Sequence, residues 1–141
     1  AEQGQGTTLN GARVTPARPA ELPSGLIGDR IRKEFDRQLT KARRDRLGEL
    51  TTLRCAGREY IEILTGQYDF NLYRMTKPWD HAAGALMLAE AGGGALRFNG
   101  APYGPADRIE SGIIGAASLQ VLAGVRAIFE TVQLPLLAPR A

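Results

Sequence analysis

The sequence predicts an α/β layered sandwich, a mixed sheet flanked by helices within one domain, on three observations. Some segments repeat apolar residues at helical spacing, while others alternate apolar with polar residues as strands do. The two kinds of segment succeed one another through the second half of the chain. At 141 residues the chain is long enough for a single packed core.

Taken in order, Thr7-Thr8-Leu9, Asn10-Gly11 and Ala12-Arg13-Val14 predict an edge hairpin, since Asn-Gly between β-compatible runs suits a two-residue turn. Pro16, Pro19 and Pro23 punctuate a connection into the short apolar run Leu26-Ile27, and Asp29 is the expected cap of the helix that follows. Ile31, Phe35 and Leu39 recur four apart, which predicts a charged helix from Arg30 to about Leu47, ended by Gly48. Leu50 to Leu53 reads as a short strand. Ala56 to Leu64 reads as a helix with Tyr60, Ile63 and Leu64 on one face and Gly66 as its stop. Tyr68, Phe70 and Leu72 alternate with Asp69, Asn71 and Tyr73, the pattern of a half-buried strand.

Pro78-Trp79-Asp80 opens a helix to about Ala91, because proline suits the first turn and a carboxylate there complements the helix dipole. A strand over Ala95 to Phe98 and an Asn99-Gly100 turn follow the glycines at 92 to 94. Gly112 to Ala116 predicts a buried strand, and Ser118 a cap for a last helix to about Val132 with Leu119, Leu122, Val125 and Phe129 as its stripe. Leu134 to Pro139, with two prolines, is expected to be non-helical and frayed or packed on the surface.

Composition sets limits. Hydrophobic residues at 43%, charged residues at 23% and a mean hydropathy of -0.21 are those of an ordinary folded domain. The lone Cys55 excludes an internal disulfide and a cysteine-based zinc cluster, so a reducing, cytoplasmic location is expected. No apolar run approaches the roughly 20 residues of a membrane span. The N-terminus has neither an initiator Met nor signal-peptide character, which leads to the expectation that the chain starts partway through a longer protein. The net charge of +3 concentrates between Arg30 and Glu49. Acids interleave there and no aromatic platform adjoins, so a solvated helix face is preferred over a nucleic-acid surface.

Few residues suggest chemistry on local grounds. The glycines at 92 to 94 close a helix, where dipole and carbonyls repel phosphate, so they read as turn residues. Cys55 stands at a strand-to-helix junction where a thiolate can be activated, but a small buried residue is the preferred reading. His81, the only histidine, reads as a packing or capping residue. Asp80 either caps its helix or meets a divalent cation, and its local context favours the cap. Glu90 lies ten positions on, roughly 15 Å along the helix, too far to share an ion with Asp80.

The run Trp79-Asp80-His81-Ala82-Ala83-Gly84, followed by an apolar helix and Glu90-Ala91-Gly92-Gly93, closely resembles the C-terminal signature of the inositol monophosphatase family, W-D-x-A-A-G with E-A-G-G. Gly4-Gln5-Gly6 through Asn10-Gly11, Leu53-Arg54-Cys55-Ala56-Gly57 and Gly66-Gln67-Tyr68-Asp69 extend the resemblance over nearly the whole chain. It implies the C-terminal domain of a magnesium-dependent phosphomonoesterase, with Mg2+ activating water and neutralising phosphate. Asp80 would be a metal ligand, and Arg54, Cys55, Ala56 and Gly57 would line the pocket of a small phosphorylated substrate. A homodimer is implied too.

Tyr73 stands where several members place an acid that binds a sugar hydroxyl, which counts against an inositol substrate. Inositol phosphates, fructose bisphosphate, histidinol phosphate and 3'-phosphoadenosine 5'-phosphate all remain open. The upstream glutamate and the D-P-[IL]-D-G-[ST] motif that carry the family's other metal ligands are not in these residues. One carboxylate binds magnesium poorly. The chain alone is therefore expected to be inactive, its site completed by an N-terminal half, and a surface left by that half is expected to favour self-association. The alternative is a non-catalytic binding or assembly module that keeps the fold.

Overall fold

The computed structural model describes residues 1–15 and 20–132. The expectations for Pro16, Pro19 and the 134–139 tail fall outside them. The chain opens with the hairpin of β1 (Thr8–Leu9) and β2 (Ala12–Arg13), in which Thr8 faces Arg13. Asn10 and Gly11 carry φ of 52° and 83°, the left-handed pair that a tight hairpin turn requires.

The central sheet has five strands: β3 (Gly25–Ile27), β4 (Leu50–Thr51), β5 (Phe70–Tyr73), β6 (Gly94–Leu96) and β7 (Ile113–Ala116). Their order is β4-β3-β5-β7-β6. β3 runs parallel to both β4 and β5, whereas β7 is antiparallel to β5 and β6. The sheet is therefore mixed, as expected.

Helices cover both faces. Against one face lie α1 (Asp29–Gln38) and α5 (Leu119–Phe129), which meet Ile27, Phe70, Leu72 and Ile114 through Ile31, Phe35, Val125 and Phe129. The rings of Phe35 and Phe129 stack with centroids 4.0 Å apart. Against the other face lie α3 (Ala56–Leu64) and α4 (Pro78–Glu90), which bring Tyr60, Ile63 and Leu88 onto Leu26. Leu26 and Ile27 are adjacent and both fully buried, which a strand achieves only when each face is covered. Gly84 allows α3 and α4 to approach: a Cβ there would overlap the Tyr60 ring.

Several expectations are corrected. The long charged helix is two. α1 ends at Gln38, Leu39 is extended, and Thr40 starts α2 (Lys41–Arg44) by accepting a 3.3 Å hydrogen bond from the Arg43 amide. The apolar spacing spans the break because Leu39 still packs against the core. Asp29 is the first residue of α1 and not its cap, a position held by Gly28, while the Gly48 amide donates to Pro23 rather than ending a helix. Asn71, expected on a solvated face of β5, is fully buried because the α3 and α4 layer covers that face. The last helix keeps its Ser118 cap on the Val121 amide but stops at Phe129.

Candidate functional site

β3, β4 and β5 are mutually parallel neighbours, so their carboxyl ends lie on one side of the sheet. β3 feeds α1 through Gly28, β4 feeds α3 through residues 52–55, and β5 feeds α4 through residues 74–77. The N-termini of three helices thus open onto the same cleft, the place where ligands of open α/β sheets are received. Its volume is ≈ 570 Å³, and its wall includes Asp29, Arg54, Cys55, Ala56, Glu59, Tyr73, Lys77, Asp80 and His81. The first amides of each helix have no intrahelical partner, and the aligned dipoles add positive potential, so the cleft favours an anion. Arg30, Arg54, Arg74 and Lys77 on the wall add to it.

Of the residues singled out in the sequence, Arg54, Cys55, Ala56, Tyr73 and Asp80 share this cleft, whereas Gly57 follows on α3 outside the lining. Arg54 holds a left-handed φ of 57°, an uncommon conformation for a side chain of its kind, and its guanidinium reaches Asp29 at 3.3 Å. That turn sets Cys55 at the cap of α3 with no side-chain cap bond. The preferred reading of Cys55 as a small buried residue is overturned, because it is exposed on the cleft wall.

Asp80 occupies the first turn of α4, where its backbone amide donates to the Lys77 carbonyl at 3.0 Å. Its side chain is exposed and forms no hydrogen bond or ion pair among the described residues. It complements the dipole without capping it. The loop before it is tied down by buried Thr76, whose amide donates to the Ile109 carbonyl at 2.7 Å and whose hydroxyl donates to the Arg108 carbonyl at 3.0 Å.

Beneath Asp80 lies a polar cluster. His81 is 3% exposed, with Nδ1 3.2 Å from the Tyr60 hydroxyl, and burial holds its imidazole below the ordinary value. It packs, as its local context suggested. Burial pushes the phenols of Tyr60 and Tyr73 well up. Glu59, unnoticed in the sequence, is 1% exposed and accepts from the Leu53 amide at 2.7 Å, the Thr52 hydroxyl at 2.9 Å and the Tyr73 hydroxyl. The available signal was its spacing: Glu59 stands four before Ile63, on the buried side of α3.

Glu90, at the far end of α4, serves another purpose. Its two carboxylate oxygens accept from the Gly4 and Gly6 amides, both at 2.8 Å, and these bonds hold its carboxyl below the usual range. The E-A-G-G motif thus ties down the glycine-rich N-terminal turn.

The donor set does not by itself match magnesium. Asp29 is engaged by Arg32 and Arg54, Glu59 is occupied by its three donors, and among the described residues no three His, Cys, Asp or Glu gather to hold an ion. Asp80 is the one cleft carboxylate without a partner among the described residues. No described helix is long and apolar enough to cross a membrane.

Fold and site together define an α/β protein with an anion-receiving cleft at the carboxyl ends of its parallel strands. The sequence profile of the inositol monophosphatase family matches residues 1–134, and the chain belongs to that family. It is 34% identical to a putative Nus factor SuhB of Neisseria meningitidis serogroup B, over 87% of this chain and 48% of that protein. It is 32% identical to a fructose-1,6-bisphosphatase/inositol-1-monophosphatase of Thermotoga maritima, over 71% of this chain and 39% of that protein. Among solved structures, a Thermotoga maritima IMPase superposes with a TM-score of 0.72 at 26% identity, over 94% of this chain and 51% of that one. The extragenic suppressor protein suhB of Bartonella henselae shares the fold, with a TM-score of 0.73 at 19% identity over 92% of this chain and 51% of that one. The chain spans about half the length of the curated relatives it matches, or less.

Proposed function

We propose that this chain forms the phosphate-receiving C-terminal domain of a magnesium-dependent phosphomonoesterase that hydrolyses a sugar, inositol or nucleotide phosphate. The observation that carries the reading is the convergence of three helix N-termini on one cleft beside Asp80. The amides opening α3, with Arg54 and Lys77, hold the phosphate oxygens, and Tyr73 meets the alcohol portion of the ester. Asp80 offers one ligand to magnesium, and further carboxylates come from residues beyond these 141. Magnesium at such sites neutralises phosphate charge and polarises water.

The test is magnesium-dependent phosphate release, measured on this chain and on a longer protein that carries a D-P-x-D-G-[ST] segment, with Asp80→Asn in each. Release by the longer protein that Asp80→Asn abolishes is the expected result; release unaffected by the substitution overturns the role of Asp80. A second reading, a binding or assembly module without catalysis, is favoured by the cleft's having one unpartnered carboxylate among the described residues. It is in keeping with the name Nus factor carried by a relative. Silence of the longer protein on sugar, inositol and nucleotide phosphates alike selects this second reading.

A further inference from the structure

Arg54, before α3, and Asp29, at the start of α1, both line the cleft and are paired with each other. Arg54 Nη2 lies 3.3 Å from Asp29 Oδ2, so a carboxylate of the chain itself engages a guanidinium that an incoming anion would use.

The backbone of Arg54 is fixed. Its amide donates to the Thr52 hydroxyl oxygen at 3.1 Å, that hydroxyl donates to Glu59 Oε1 at 2.9 Å, and the Leu53 amide donates to the same carboxylate oxygen at 2.7 Å. Glu59 is 1% exposed, and its other oxygen accepts from the Tyr73 hydroxyl, which anchors the turn to β5. The left-handed φ of 57° is thereby held, and movement is left to the Arg54 side chain, which is 81% exposed. Asp29 does not depend on Arg54 alone. Its Oδ1 accepts from Arg32 Nη2 at 3.3 Å, and its carboxylate complements the positive end of α1. Arg54 can therefore leave Asp29 without stranding a charge.

We propose that Asp29 is an internal competitor for the anion: it holds Arg54 by ion pairing, and a phosphate group binds by taking the guanidinium from it. The inference rests on the phosphate-ester reading of the cleft and adds a regulation of that site. When phosphate departs, Asp29 takes the guanidinium back, so the pair that weakens binding also eases release of inorganic phosphate. An ion pair between exposed groups is modest in strength, and the fraction of Arg54 that it holds lowers the apparent affinity in proportion, by a factor of about five. Asp29 is then a positioning residue that acts through Arg54.

The test is the binding of inorganic phosphate, by calorimetry at low ionic strength, to the wild-type chain, Asp29→Asn, Arg54→Gln and the double variant. Asp29→Asn is expected to bind about fivefold more tightly than the wild type, Arg54→Gln more weakly, and Asp29→Asn to add nothing in the Arg54→Gln background. Tighter binding is a result that the loss of a merely structural contact does not produce. Unchanged or weaker binding by Asp29→Asn overturns the inference alone, as does undiminished binding by Arg54→Gln. So does an equal gain in the Arg54→Gln background, which shows Asp29 acting on phosphate by its own charge and not through Arg54. Absence of binding in the wild type and every variant overturns the phosphate reading together with it. Both side chains are exposed, so the substitutions leave the core untouched; if Asp29→Asn nevertheless disturbs the helices by circular dichroism, Asp29→Ser takes its place.

Discussion

At the scale of single residues, two carboxylates of α4 do opposite work. Asp80 is exposed in the first turn with no side-chain partner among the described residues, so its charge is available to the cleft. On the proposed reading, Asp80→Asn in a longer protein that releases phosphate is expected to abolish detectable turnover while leaving the melting temperature unchanged, as befits the loss of one preorganised charge. Phosphate release and thermal denaturation of the same preparation check both halves of that statement. Glu90 is committed to Gly4 and Gly6. Its folded carboxyl is depressed from 4.5, so its contribution is present above that value and disappears as pH falls through the folded value. Glu90→Gln should therefore lower stability at neutral pH and flatten the acid limb of a stability-versus-pH curve below about 4.5. An acid limb identical to that of the wild type overturns the assignment.

At the scale of elements, the contact of α3 with α4 decides where the cleft wall stands. Gly84 faces Tyr60 with no room for a Cβ, and Tyr60 in turn holds His81. Gly84→Ala should cost about 1–3 kcal/mol by overpacking, seen as a lower denaturant midpoint with an unchanged m-value. α2 is tied to α5 by Arg43, whose Nη1 donates to the Ala127 carbonyl at 3.1 Å and the Ile128 carbonyl at 3.0 Å. Arg43→Ala should cost about 1–2 kcal/mol by releasing these carbonyls at the end of α5, with faster amide exchange confined to α2 and that end.

Elements with strong local signals were legible. α3 matches its expected bounds because its apolar face and its glycine stop agree, and α4 begins where proline and a carboxylate mark a first turn. The break between α1 and α2 was not legible. Leu39 keeps the helical spacing while leaving the helix, and only the competing cap of Thr40 shows the interruption.

At the scale of the whole molecule, the exposed apolar residues bear on association. Trp79 is 74% exposed on the first turn of α4, beside Asp80, and Leu119 is 63% exposed. Exposed apolar surface near a site favours contact with a partner or a second copy. The chain is expected to self-associate with rising concentration in sedimentation velocity, and Trp79→Glu to shift it toward monomer; a wild type that stays monomeric throughout overturns this expectation. The basic stretch of Arg30 to Arg46 is largely engaged within the chain. Arg32 pairs with Asp29, Arg37 with Glu34, Lys41 with Asp45, and Arg44 donates to the Leu47 and Gly48 carbonyls. This leaves less of its charge for nucleic acid than its composition suggests.

Local chemistry along the chain was enough to establish the fold class, most element positions and the family, because hydrophobic period, turn residues and the Trp79-to-Gly93 signature are all properties of neighbours in sequence. Folding alone established which side chains meet. Asn71 is buried because a second helix layer lies over its face of the sheet, and Cys55 is exposed because the Arg54 turn leaves it on the cleft wall. Glu59 gains a partner in Tyr73, fourteen residues away. Parallel pairing of β3 with both β4 and β5 brings three helix starts to one place, a coincidence of direction that no local pattern encodes.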